Sequence, residues 1–93
     1  MRLRSKRKLL GNYIMAKWTI YSKNQCPYCD KAKFALQNED VEVKNISDNP
    51  DYLTELMEKN PVARTMPQVF KEDQLIGGYD ALQVYLANRS QQL

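Results

Sequence analysis

Cys26-Pro27-Tyr28-Cys29 holds the only two cysteines of a 93-residue chain, at the point where a short hydrophobic strand must give way to a helix. A strand running directly into a helix start is a tight constraint on the fold, and it also turns a thiol into a reagent. With Cys26 as the N-cap, its sulfur faces the unpaired N–H groups of the first turn and the positive end of the helix dipole, which favour the thiolate. Pro27 then occupies the first helical position, where its missing N–H costs nothing. Cys29 lies on the same helical face, so the pair can close a disulfide across one turn. Reversible dithiol/disulfide exchange is the chemistry expected.

Around this pivot the pattern alternates. Lys17 to Ser22, rich in β-branched and aromatic residues, reads as the first strand, with Trp18 and Tyr21 as packing residues. The first helix is expected from Pro27 to about Asn38, its apolar stripe formed by Cys29, Ala32, Ala35 and Leu36, with Phe34 off that stripe. Val41 to Ile46 alternates apolar Val41, Val43 and Ile46 with Glu42 and Lys44, as a half-exposed strand does. A second helix starts at Asn49-Pro50-Asp51, carries Leu53, Leu56 and Met57 at helical spacing and stops at Asn60-Pro61. Pro67 to Lys71 and Gln74 to Ile76 form a hairpin about Glu72-Asp73. Gly77-Gly78 breaks it, and a last helix is expected from Asp80, as N-cap, to about Arg89, with Leu82, Tyr85 and Leu86 facing the core. The order β-α-β-α-β-β-α describes one three-layer α/β domain.

Composition narrows the chemistry. The chain has no histidine, which removes imidazole from catalysis and from any zinc site. The net charge of +3 comes from residues 1 to 14, which carry five basic groups and no acid; from Met15 onward, nine basic residues face eleven acidic ones. We expect Met15 to be the natural start and the basic arm to be upstream sequence, with residues 15–93 as the domain. The competing reading of the arm is a contact for nucleic acid or an anionic membrane. The domain itself lacks the basic–aromatic interleaving of a nucleic-acid binder, and no segment reads as a membrane span or signal peptide. Two cysteines spaced this way are not a secreted disulfide framework, so a reducing cytoplasm is the expected address.

Three motifs occur in a common order: Tyr21-Ser22-Lys23 leading into Cys26-Pro27-Tyr28-Cys29, then Arg64-Thr65-Met66-Pro67-Gln68-Val69-Phe70, then Gly77-Gly78-Tyr79-Asp80. With these, residues 15 to 87 resemble glutaredoxins of the dithiol class, in the thioredoxin-fold superfamily. The resemblance implies a thioredoxin-like, four-stranded mixed sheet flanked by three helices, with the first strand central and Pro67 as a cis-proline facing the dithiol. It implies glutathione as co-substrate, with Cys26 as nucleophile and Cys29 as the residue that resolves the mixed disulfide. Lys23 is similar to the family's lysine near the thiolate, and Tyr28 to a groove-lining residue. Thr65 and Met66 would give backbone contacts to glutathione, and Pro67 would shape their loop. Tyr79 and Asp80 would receive the γ-glutamyl end at a helix N-terminus. Met66 stands where the family more often has valine, placing a bulky, oxidisable side chain near the thiols. Thr54 stands where many relatives carry a longer polar side chain toward the glycyl carboxylate, a contact that Arg64 could replace.

The expected activity is therefore a monomeric glutathione-dependent thiol–disulfide oxidoreductase that needs no metal and acts on protein disulfides and glutathione mixed disulfides. Two other readings compete with it. One is a thioredoxin-like electron donor to a client such as ribonucleotide reductase. The other is an iron–sulfur carrier, against which Pro27-Tyr28-Cys29 weighs, because relatives with that role mostly have Gly-Phe-Ser after the first cysteine.

Overall fold

A computed structural model describes residues 17–91, and the basic arm of residues 1 to 14 lies outside them. The elements are β1 (Trp18–Ser22), α1 (Pro27–Ala35), β2 (Val41–Asn45), α2 (Pro50–Lys59), β3 (Gln68–Lys71), β4 (Gln74–Gly77) and α3 (Tyr79–Gln91). β1 is buried along its whole length because it is central: it pairs in parallel with β2 and antiparallel with β3, giving the order β2-β1-β3-β4. The mixed sheet and the element order are those expected.

Alternate residues of β1 enter opposite layers, as the period-two pleat requires. Trp18 and Ile20 join Ala32 and Leu36 from the α1 region, Val69 of β3 and Leu82 of α3. Tyr21 joins Leu56 of α2 and Phe70 of β3. Hence α1 and α3 cover one face and α2 the other. Each layer has an edge-to-face aromatic pair, Trp18 with Tyr85 and Tyr21 with Phe70, both with ring centroids 5.6 Å apart.

Several local expectations shift. Helix α1 ends at Ala35 rather than Asn38, because the N–H groups of Gln37 and Glu39 turn to carbonyls three residues back. Ala35 is exposed, so the buried stripe is Cys29, Ala32 and Leu36. On edge strand β2, Val43 is 42% exposed while Lys44 is half-buried. The Lys44 ammonium reaches across to Glu55 and lies 5.8 Å from the centroids of Tyr21 and Tyr52, so its stem is covered by α2. On α2, Leu53 and Met57 remain exposed and only Leu56 of that apolar set is buried.

The caps follow local chemistry. Asn49 Oδ1 accepts the Asp51 N–H at 3.0 Å, with Pro50 at the first helical position of α2. Helix α3 starts at Tyr79, one residue before the expected cap: the Gly78 carbonyl accepts the Leu82 N–H at 3.0 Å, which puts Asp80 inside the first turn. Strand β3 begins at Gln68 because Pro67 has no N–H for the ladder.

Candidate active site

The β1–α1 junction places Cys26 in extended backbone (φ −127°, ψ 96°) as the N-cap of α1. Its Sγ accepts the Cys29 N–H at 3.1 Å, with Pro27 at the first helical position. Cys26 and Cys29 form a disulfide with Cα atoms 5.2 Å apart, inside the usual range. The two sulfurs are not equivalent. Cys26 is 8% exposed and borders a groove, whereas Cys29 is fully buried behind it. When the bond is reduced, the same N–H and the helix dipole stabilise negative charge on Cys26.

The preceding loop is braced by a closed ring of hydrogen bonds. The Asn24 N–H donates to Ser47 Oγ at 3.0 Å, the Ser47 N–H to Asn45 Oδ1 at 2.7 Å, and Asn45 Nδ2 to Asn24 Oδ1 at 3.0 Å. Gln25, between this ring and Cys26, takes a left-handed conformation with φ of 55°. The ring has no sequence signal, since it depends on where Asn45 and Ser47 come to lie.

Opposite the disulfide, the Met66-Pro67 peptide is cis and the Met66 carbonyl oxygen lies 3.7 Å from Cys26 Sγ. Gln68 Nε2 donates to the Thr65 carbonyl at 2.7 Å, and Gln68 Oε1 accepts from Asn60 Nδ2 at 3.3 Å, so β3 and the end of α2 hold this loop. The Thr65 carbonyl is therefore already occupied. The Met66 side chain, expected beside the thiols, packs on the Tyr21–Leu56–Phe70 cluster.

The groove between these segments has a volume of about 760 Å³. Lys23, Cys26 and Tyr28 line one side, Thr65, Met66 and Pro67 the second, and Tyr79 and Asp80 of α3 the third. Every site residue expected from sequence borders it except Cys29, whose sulfur lies behind Cys26. Arg64 lines the groove and Thr54 does not. Gln25 and Gly78 are lining residues that sequence reasoning missed; an added Cβ on Gly78 would lie 3.6 Å from the Pro67 carbonyl oxygen, so the two loops pass close there. Gly77 has φ of 128°, and a Cβ there would fall 2.7 Å from that of Ala81. The Gly-Gly pair thus lets β4 turn into α3 at the rim.

Helices α1 and α3 lie side by side with both N-termini at the groove. Tyr28 and Tyr79 meet with centroids 5.9 Å apart, and at the far end Arg89 of α3 reaches Glu39, beyond α1, at 3.3 Å. Two positive dipole ends therefore converge on one groove, an arrangement suited to a thiolate and a carboxylate together. Among the described residues no group of three or more His, Cys, Asp or Glu side chains could hold a metal.

The sequence model of the Glutaredoxin family matches residues 18–76. The chain is 39% identical over 69 residues to glutaredoxin 3 of Escherichia coli K12, an alignment covering 73% of this chain and 83% of that protein. Its fold superposes on reduced Escherichia coli glutaredoxin with a TM-score of 0.68 and 25% identity, covering 81% of this chain and 98% of that one. The glutaredoxin-like NrdH-redoxin of Escherichia coli, described as having a thioredoxin-like activity profile, gives 0.61 and 27% over 74% of this chain and 91% of its own. With its Cys-Pro-Tyr-Cys disulfide at the head of α1 and its thioredoxin-like sheet, the chain belongs to the glutaredoxin family of thiol oxidoreductases, in the dithiol class.

Proposed function

We propose that the chain is a glutathione-dependent thiol–disulfide oxidoreductase that reduces protein disulfides and glutathione mixed disulfides. The observation that carries this reading is the asymmetry of the dithiol: Cys26 borders a groove bounded by a second helix N-terminus, while Cys29 is buried one turn away. The reduced Cys26 thiolate attacks a client disulfide, forming a Cys26–client bond and releasing the other client sulfur as a thiolate that takes a proton from solvent. Cys29, deprotonated, then attacks the Cys26 sulfur. The client leaves fully reduced, and the Cys26–Cys29 disulfide remains.

Two glutathiones reverse this state. The first attacks Cys26, giving a Cys26–glutathione bond and a free Cys29 thiol; the second attacks the glutathione sulfur and leaves as glutathione disulfide, freeing Cys26. A thiolate stabilised by backbone N–H groups is a good leaving group, which speeds that last step. In the groove, the Met66 backbone would pair with the cysteinyl part of the tripeptide, in an extended strand-like contact. Free N–H groups at the start of α3 would receive the γ-glutamyl carboxylate, and Asp80 the adjacent ammonium. Lys23 and Arg64 are the groove's cations for the remaining carboxylate. We place this activity in a reducing cytoplasm and in a monomer, where no other subunit is needed to complete the groove.

The direct test is turnover of a small glutathione mixed disulfide by the wild type, Cys26→Ser and Cys29→Ser. The first substitution should abolish activity. The second should leave much of it, because glutathione itself can resolve the glutathionylated enzyme. The likeness to NrdH-redoxin favours a second reading, a thioredoxin-like electron donor to a client such as ribonucleotide reductase. Reduction of the oxidised protein by a thioredoxin reductase but not by glutathione would select it.

A further inference from the structure

Lys31 stands one turn along α1 from Tyr28, on the same helical face. Its ammonium lies 5.1 Å from the Tyr28 centroid and 5.9 Å from that of Tyr79, above the aromatic wall that these rings form at the groove rim. The wall is itself held, since Gln83 Nε2 donates to the Tyr79 hydroxyl at 3.0 Å. Lys31 is exposed and is not a groove-lining residue, unlike Lys23 and Arg64. Among the described residues no carboxylate pairs with it: its neighbour Asp30 reaches Lys33 at 3.8 Å, and the other ion pairs involve Lys17, Lys44, Lys59 and Arg89. Ring faces orient an ammonium but leave its charge uncompensated.

A tripeptide seated in the groove would meet Lys23 and Arg64. A polypeptide joined to it through the disulfide extends beyond the groove, and Tyr28, 56% exposed, offers it a rim beside Cys26. Lys31 is the cation that stands over this stretch of the rim. We infer that Lys31 is a specificity residue that favours polypeptide clients with acidic side chains flanking the target cysteine. The inference rests on the glutathione-dependent reading above and extends it to the client's side of the bond. The selecting interaction is an exposed ion pair, so it acts on encounter and orientation rather than on the chemistry at sulfur.

The test uses three peptides, each with one S-glutathionylated cysteine, flanked by two Glu, two Gln or two Lys, and a small glutathione mixed disulfide as reference. In each reaction the Cys26 thiolate bonds to the glutathione sulfur, the peptide's S–S bond breaks, and the peptide leaves as a thiolate. For the wild type, kcat/KM divided by that of the reference should rank Glu above Gln above Lys, with about threefold between successive peptides. Lys31→Glu should reverse the ranking, Lys31→Gln should flatten it and Lys31→Arg should keep it. The spread should shrink at about 0.5 M salt, where screening is short-ranged. An identical ranking in the wild type and Lys31→Glu overturns the inference, and so does a wild type that does not discriminate among the peptides. Failure of the wild type to turn over even the reference would instead overturn the glutathione-dependent activity, and this inference with it.

Discussion

The α1/α3 face of the sheet is sealed by apolar side chains, with Ile20, Ala32, Leu36, Val69 and Leu82 in one cluster, and it carries both helix N-termini that border the groove. On the α2 face the apolar cluster is smaller, and a polar group completes the contact. The Tyr21 hydroxyl donates to Glu55 Oε2, and the Lys44 ammonium meets the same oxygen. The Lys44 contact, then that of Tyr21, holds the Glu55 carboxyl below the usual carboxylate range, while burial, with Glu55 beside it, pushes the Tyr21 hydroxyl up. The dithiol and the groove thus lie where the N-termini of two helices meet, and α2 supplies no residue to the groove. One layer carries the reactive cysteines, and the other holds β1 and the Thr65–Pro67 loop in place.

This division can be broken by substitution. The largest effect should come from Cys26→Ser, which should reduce disulfide turnover to the uncatalysed background; urea melts of wild type and variant, both with cysteines reduced, should coincide. Leu82→Ala removes a fully buried side chain from the apolar layer and should cost about 2–5 kcal/mol. Because α3 forms one wall of the groove, KM for a glutathione mixed disulfide should rise as well. A cost without a change in KM would show that the layer and the groove are not mechanically linked.

Glu55→Gln probes the other face. It should cost about 1–3 kcal/mol in a neutral urea melt and leave kcat/KM unchanged. The sign of its pH dependence follows from the lowered carboxyl. The wild-type advantage is fully present above the unfolded carboxyl's value of about 4.3, and is lost as pH falls through the lower folded value. Melts across that acid range should therefore converge for wild type and variant. Asn49→Ala, which removes the α2 cap, should cost about 1 kcal/mol and be equally silent in turnover. A fall in activity with either α2-side variant would overturn the division.

The start of α1 was legible because its signals are local: a cysteine cap, a proline at the first helical position, and β-branched and aromatic residues just before it. The same holds for α2, read from Asn49-Pro50-Asp51. What was not legible depended on residues far apart in sequence. Lys44 is half-buried and Val43 exposed because β2 pairs with β1 so that Tyr21 lies opposite Lys44, under Glu55 of α2. Asp80 reads as a cap by residue type, but the Gly78 carbonyl begins α3 one residue earlier. The cis bond at Pro67 was expected only through the family resemblance.

Order of elements, helix starts and the reactive cysteine pair were written into short stretches of this chain, since capping, proline placement and period-two or helical patterning act over a few residues. The groove was decided by the folded sheet alone. It needs Cys26, the Thr65–Pro67 loop and the head of α3 to meet, and only strand pairing and packing across β1 bring Cys26 to Met66, forty residues further along the chain, and to the helix start beyond it. The tyrosine wall that orients Lys31 arises the same way, from two helices laid side by side on one face.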